Sequence, residues 1–355
     1  MASWDCKRDV VPFIAMAIAE CSTVSLHTLY KAANLNGLHY FVFMTYSYGF
    51  GTLLLFPIST VFSRRGLTSF NFKLPLLCRF VLLWIMGFLA RVFGYKGLEY
   101  SSPALSSAIS TLAPAFTFIL AIIFRMEDVD LKRSSTRAKI IGTIVSVSGA
   151  LLAVLYKGPT LISSQSGSII TQSPLTTQTN WVVAGLLLVT EQLLNSGTYI
   201  LLIQILRIYP AELIVSFLYC LGVTIITIPV SLMAESDLSA WILRPGITLT
   251  VIIYSAFFGQ VFILTIRICC LPSKGPLYIS IFKPISIIVA AAASVIFLGD
   301  ALHIGSLVGA IILLLGFYAV LWAKAKEQRS TENLRASVDE ETPLLQGSRE
   351  VKYLE

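Results

Sequence analysis

Apolar runs of about twenty residues follow one another along most of this chain, each closed by charged or turn-forming residues. At about 1.5 Å of rise per residue, such a run crosses the ~30 Å hydrocarbon core of a bilayer. In lipid, a helix satisfies every backbone N–H and C=O within its own segment. The runs fall near 10–30, 39–62, 74–95, 101–124, 138–156, 181–206, 211–234, 247–266, 275–298 and 304–323. They predict an all-α membrane protein with ten transmembrane helices and short loops. Composition agrees: 56% of the 355 residues are hydrophobic and 13% charged, where soluble domains carry roughly a quarter charged residues. A soluble globular fold is excluded, because too little polar surface exists to cover the apolar one.

A net charge of +7 would suggest nucleic acid in a soluble protein. Here the basic residues sit at the ends of apolar runs, which is the positive-inside pattern, and no nucleic-acid partner is expected. With a cytoplasmic N-terminus, 19 of the 26 Lys and Arg gather on that side, Arg64, Arg65, Arg133, Arg137, Lys324 and Lys326 among them. The opposite side holds Lys31, Lys96, Lys157 and Arg244, while Arg79, Arg91 and Lys283 lie inside runs. Both termini are therefore expected in the cytoplasm. Lys7-Arg8 before an apolar run imitates a signal peptide, but Glu20 interrupts that run and it continues to Tyr30, so a retained first span is expected. The six cysteines (Cys6, Cys21, Cys78, Cys220, Cys269, Cys270) lie mostly in apolar segments without metal-type spacing to the three histidines. Free thiols, no structural metal and no other cofactor are expected.

The chain repeats itself. Gly142 and Gly149 in span five are spaced like Gly309 and Gly316 in span ten, Pro114 matches Pro284, and Glu20 matches Glu191, with offsets of 167 to 171 residues. The polar stretch Ser163 to Asn180 lies between the halves. Expected units are a cytoplasmic N-terminus (1–9), a first five-span repeat (10–157), a polar linker (158–180), a second repeat (181–324) and a disordered cytoplasmic tail (325–355). An odd number of spans per half turns the second copy upside down, a transporter architecture with its site near the midplane.

An ionised carboxylate inside a bilayer costs several kcal/mol, which makes Glu20 and Glu191 the leading site candidates. Helical spacing puts Glu20, Thr23 and His27 on one stripe and Glu191, Asn195 and Thr198 on its counterpart. Either acid can pair a substrate ammonium or carry a proton. Lys283 lies about 12 Å into span nine, beyond comfortable snorkelling, and needs a counter-ion: a substrate carboxylate, Glu20 or Glu191. Pro284 beside it, like Pro114 in span four, is expected to kink its helix. Gln260 lies near mid-depth and is a further cavity candidate. Arg91, close to the outer end of its run, is expected to snorkel, and Ser106, Ser107, Ala108 and Ser110 are expected to let helices approach closely.

Four stretches carry a resemblance to a known family: Tyr100 to Leu120 (YSSPALSSAISTLAPAFTFIL), Ala138 to Ala150 (AKIIGTIVSVSGA), Tyr156 to Pro159 (YKGP) and Gly316 to Trp322 (GFYAVLW). With the rest of Val10 to Lys326, the sequence resembles the plant nodulin-21-like, walls-are-thin-related EamA transporters. These are also described as usually-multiple-acids-move-in-and-out transporters and belong to the drug/metabolite transporter superfamily. The resemblance implies two inverted EamA repeats and movement of amino acids, or in one branch auxin, across plasma or vacuolar membranes. Solute identity differs among members and is not implied.

Alternating-access transport of a small polar organic solute, amino acids first, is the expected function. An auxin-like organic acid or other metabolite is the alternative solute, and a receptor or scaffold that binds without transporting is the alternative role. The spans contain no nucleophile–base arrangement, paired catalytic aspartates or metal-spaced histidines, so no enzyme is expected, and no Walker-type loop points to ATP. In the tail, Glu340, Leu344 and Leu345 (EETPLL) fit an acidic dileucine signal, with sorting adaptors as expected partners beside the solute and membrane lipid.

Overall fold

A computed structural model describes residues 10–63, 74–100, 106, 109, 110, 112–126, 134–155, 160–162, 178–235, 238–243, 246–283, 285, 286, 289, 302, 303, 308, 309, 311, 312, 314–323 and 326. The helices are α1 (Val11–Leu35), α2 (Tyr40–Ser63), α3 (Leu74–Glu99), α4 (Ala113–Ile123), α5 (Ser134–Leu155), α6 (Gln178–Ile208), α7 (Glu212–Ala234), α8 (Ile247–Lys274), α9 (Pro276–Ile281) and α10 (Leu314–Ala323). Six of them, α1, α2, α3, α6, α7 and α8, are long and apolar enough to cross a membrane. Pro284, Glu340, Leu344, Leu345 and residues 163–177 of the expected linker lie outside the described residues.

The bundle is apolar outward. On α7, Ile225, Ile228 and Leu232 form an exposed stripe at helical spacing, while Ser216, Cys220, Thr224 and Thr227 are buried on the opposite face. These buried hydroxyls bond to the carbonyl one turn back, as Ser216 does to Glu212, Thr224 to Cys220 and Thr227 to Val223, so each is satisfied within its own helix. Leu53, Phe56 and Val61 on α2 and Leu186 on α6 extend the exposed apolar surface. That surface has no water-soluble use and fits contact with lipid tails.

Small residues set how closely the helices meet. α2 and α7 cross where Thr52 Oγ1 and Thr224 Oγ1 are 2.9 Å apart, and Gly222 of α7 leaves room for the Trp84 ring of α3. α5 and α10 meet backbone to backbone: a Cβ on Gly142 would lie 2.8 Å from the Gly316 carbonyl oxygen, and one on Gly316 would lie 2.6 Å from that of Gly142. The other main pairings are α3 with α6, α2 with α8, α1 with α8, α4 with α6, α3 with α7 and α4 with α9. Exchanging each helix for the one five places along turns α3–α6 into α8–α1 and α2–α8 into α7–α3, while α4–α6 has no such counterpart among these pairings.

Two features depart from the sequence expectations. The eighth helix does not stop at 266: it continues to Lys274 and contains a π-helical stretch, Ser255–Ile263. It ends at Gly275, whose φ of 83° suits only glycine, so α9 starts one residue later. Among the described residues there is also one short antiparallel pairing, Thr160–Ile162 with Leu302–His303. Pro114 stands in the first turn of α4, where a missing N–H forfeits no hydrogen bond.

One end of the bundle is firmly tied. The rings of Tyr30, Phe43 and Tyr95 cluster with centroids 4.7 to 5.1 Å apart. Lys31 Nζ donates to the carbonyls of Leu98 and Glu99 at 3.0 Å, joining the C-terminal ends of α1 and α3. Below this tie the helices enclose a polar cavity.

Candidate functional site

The cavity is walled by α1, α3, α6, α8 and the turns around α4 and α9. Glu20, Thr23, Glu191, Asn195, Gln260 and Lys283 all line it, so the residues singled out from helical spacing and from charge within apolar runs converge on one space. His27 joins them, whereas Thr198 turns its hydroxyl back to the Leu194 carbonyl. A second lobe adjoins it, lined by Gly94 and Leu98 together with His27, Arg91, Tyr95, Ser106 and Glu191, which belong to both lobes.

The two acids have different surroundings. Glu20 is fully buried, and its Oε1 accepts a 2.8 Å ion-pair hydrogen bond from Arg267 Nη2. The same nitrogen donates to Thr23 Oγ1 at 3.3 Å, and Thr23 in turn donates to the Ala19 carbonyl at 2.8 Å. Such a bond between ionised groups out of water is short, directional and costly to break. Glu191 is 9% exposed. Its Oε1 accepts from Asn195 Nδ2 at 3.3 Å, and its carboxyl lies flat against Gly94 of α3, where an added Cβ would be 2.6 Å from Cδ.

Lys283 sits just past α9 in a run of tight turns: its N–H donates to Ser280 O, and the N–H groups of Ile285 and Ser286 donate to Phe282 O and Lys283 O. The backbone is thereby held at the cavity wall, and the side chain, on a residue 8% exposed, is within electrostatic reach of both Glu20 and Glu191. Gln260 belongs to the π stretch of α8 and is buried, its Cβ and Cγ resting over Gly51 of α2. π-Helical turns inside α-helices recur at functional sites because they re-aim side chains.

The cavity therefore faces a solute with two carboxylates, Glu20 and Glu191, and three fixed cations, Arg91, Arg267 and Lys283. Ser106, Ser110, Gln192, Asn195 and Ser286 add neutral donors and acceptors. Gln192 Oε1, Glu20 Oε2 and Arg267 Nε are buried without hydrogen-bond partners among the described residues. Unmet polar capacity at a cavity wall is available to a bound solute or water.

Residues 12–155 match the EamA-like transporter family. Two WAT1-related proteins of Arabidopsis thaliana are 48% and 50% identical to the chain, over 95% and 90% of its length and 92% and 90% of theirs. The chain belongs to the EamA-like transporter family. A third WAT1-related protein of the same plant is 45% identical over 92% of the chain and 89% of its own length. A solved crystal structure, 13% identical, superposes with a TM-score of 0.65 over 90% of this chain and 99% of that one, a likeness of fold alone. This member of the family is an integral, multi-pass membrane protein.

Two of its cavity cations escaped the sequence reading. Arg267 follows the last residue of an apolar run ending at 266 and was counted with the cytoplasmic flank. Because α8 continues, Arg267 is only 9% exposed and faces Glu20. Arg91 does not snorkel outward: its Nε donates to the buried Tyr48 hydroxyl at 2.9 Å and its side chain lines both lobes. The serines at 106 and 110 line the cavity as well as letting helices approach. A signal for Arg267 existed in the spacing, since Gln260, Ile263 and Arg267 recur as i, i+3 and i+7 on one face.

Proposed function

We propose that the protein moves a small polar organic solute, amino acids first, across a membrane by alternating access, with Thr23, Glu191, Asn195, Gln260 and Lys283 lining its solute or proton site and Glu20 in its wall, paired with Arg267. The observation that carries this reading is the enclosed cavity in which carboxylates and cations from both halves of the chain face one another. A zwitterion needs such a surface, with cationic donors for its carboxylate and an acceptor for its ammonium. The matching of α3–α6 with α1–α8 and of α2–α8 with α3–α7 supports ten spans arranged as two inverted five-helix repeats, with the cavity at their interface. Transport of this kind needs no cofactor and makes the protein a carrier, not an enzyme. Its tail, through Glu340, Leu344 and Leu345, is read by sorting adaptors that direct it to the vacuolar rather than the plasma membrane. Both termini are cytoplasmic.

An auxin-like organic acid is the second reading. It is favoured by one observation: with Glu20 spent on Arg267, Arg91 and Lys283 outnumber Glu191 and suit an anion. Uptake and efflux of radiolabelled amino acids and aromatic organic acids, measured in one cell type at two external pH values, tests both readings. Flux of amino acids above that of control cells is expected; flux of the acids alone moves the conclusion to the second reading. Binding without flux in sealed vesicles makes the protein a receptor and overturns both.

A further inference from the structure

Glu20 and Glu191 hold matching places in the two halves, yet only one of them is free to change partners. Glu20 is sealed at the crossing of α1 with α8, at 0% exposure, with an arginine at 2.8 Å. Releasing it would strand two buried charges at once. Glu191 lines both lobes of the cavity, while Glu20 lines the larger lobe alone. The hydrogen bond to Glu191 from Asn195 is a longer 3.3 Å contact with a neutral amide. The charged groups that face it, Arg91 of α3 and Lys283 past α9, act on it across the cavity without an ion-pair contact among the described residues.

What fixes Glu191 in place is an absence of side chain on the facing helix. An added Cβ at Gly94 would lie 2.6 Å from Cδ, 2.8 Å from Oε1 and 2.9 Å from Oε2 of Glu191. All three atoms of the carboxylate thus rest on one glycine. Gly94 has ordinary helical geometry, so its use here is space and not backbone freedom.

We propose that the two acids divide the work: Glu20 is a permanent ion-pair partner of Arg267, whereas Glu191, positioned by Gly94, takes up and releases a positive charge during the cycle. The charge is a proton or a substrate ammonium. The division rests on the transport reading above but makes a chemical claim testable without it.

Dicyclohexylcarbodiimide adds to protonated carboxyls in apolar surroundings and leaves ion-paired carboxylates alone. Treating the purified full-length protein and mapping the adduct by mass spectrometry should mark Glu191 and spare Glu20. Protection of Glu191 by an amino acid but not by its N-acetyl form assigns the charge to the ammonium; protection by raised pH alone assigns it to a proton. Equal marking of both acids in the wild type, or marking of Glu20 alone, overturns the division.

Positioning is tested by flux. Gly94→Ala should cut flux per molecule about tenfold, although alanine is the better helix former. Adding Glu191→Asp, which withdraws the carboxyl by one methylene, should restore flux lost in Gly94→Ala. A simple packing defect is not rescued by shortening that acid. Wild-type flux in Gly94→Ala overturns Gly94 as the positioning residue. If Gly94→Ala is poorly folded, the labelling pattern of the wild type still decides between the two acids. Absence of any flux in the wild type overturns the transport reading instead, and leaves the labelling result standing by itself.

Discussion

The crossing of α3 with α6 and the crossing of α8 with α1 solve one packing problem in two ways. In the first, α3 offers Gly94 and Gly97, and α6 lays Glu191 and Leu188 onto them, so the helices meet through missing side chains. In the second, α8 is widened by its π stretch and meets α1 through charge, with Arg267 on Glu20. Matching positions in the two halves thus share a place without sharing a partner. One acid is tied to an arginine, and its counterpart is left facing the cavity.

The comparison breaks most visibly at the ion pair. Arg267→Met leaves a fully buried carboxylate alone and should cost about 3–5 kcal/mol, read as a collapse of membrane abundance and of the melting temperature in detergent. The double change Glu20→Gln with Arg267→Met should recover most of that loss. Normal abundance of the single variant would mean that the α1–α8 crossing does not depend on charge.

A glycine contact outside both crossings provides the next effect. Gly316→Ala drives a methyl group against the backbone of Gly142 and Ser146 on α5, and such overpacking costs about 1–3 kcal/mol. A lowered melting temperature with flux per folded molecule unchanged is the expected outcome. An unchanged melting temperature would show that α5 and α10 are not in close contact.

Lys283 sharpens the contrast further. Because Arg267 already neutralises Glu20, Lys283→Met should spare abundance while lowering flux about tenfold, or ~1.4 kcal/mol. Loss of abundance, restored by Glu191→Gln, would show that the lysine is instead a structural partner of that acid. The smallest effect is on destination: Leu344→Ala with Leu345→Ala should move a fluorescent fusion from the vacuolar toward the plasma membrane without altering flux per molecule. An unchanged distribution removes the dileucine signal.

Much of this site could be read from sequence because charge inside an apolar run is rare. Glu20, Glu191 and Lys283 stood out for that reason, and helical spacing added Thr23 and Asn195. Arg267 did not stand out, since hydropathy cannot tell a cation that ends a span from one that a buried partner draws inside. Arg91 was misjudged for a related reason: its depth was legible, but the Tyr48 hydroxyl that receives it lies on another helix. Gly94 carried no signal at all, because its use depends on what faces it across a helix crossing. The long helices α1, α2, α3, α6 and α7 lie within about five residues of the expected runs, whereas the expected runs at 101–124, 275–298 and 304–323 are matched among the described residues only by the shorter helices α4, α9 and α10. The late end of α8 was missed for the same reason as Arg267.

The most direct test of the account is the flux per surface molecule of Glu191→Gln, measured for a transported solute beside a quantified surface pool. Glutamine preserves shape and hydrogen bonding and removes only the charge. At least a tenfold fall, about 1.4 kcal/mol, at wild-type abundance is predicted. Wild-type flux per molecule would contradict the central claim and place the solute site away from Glu191.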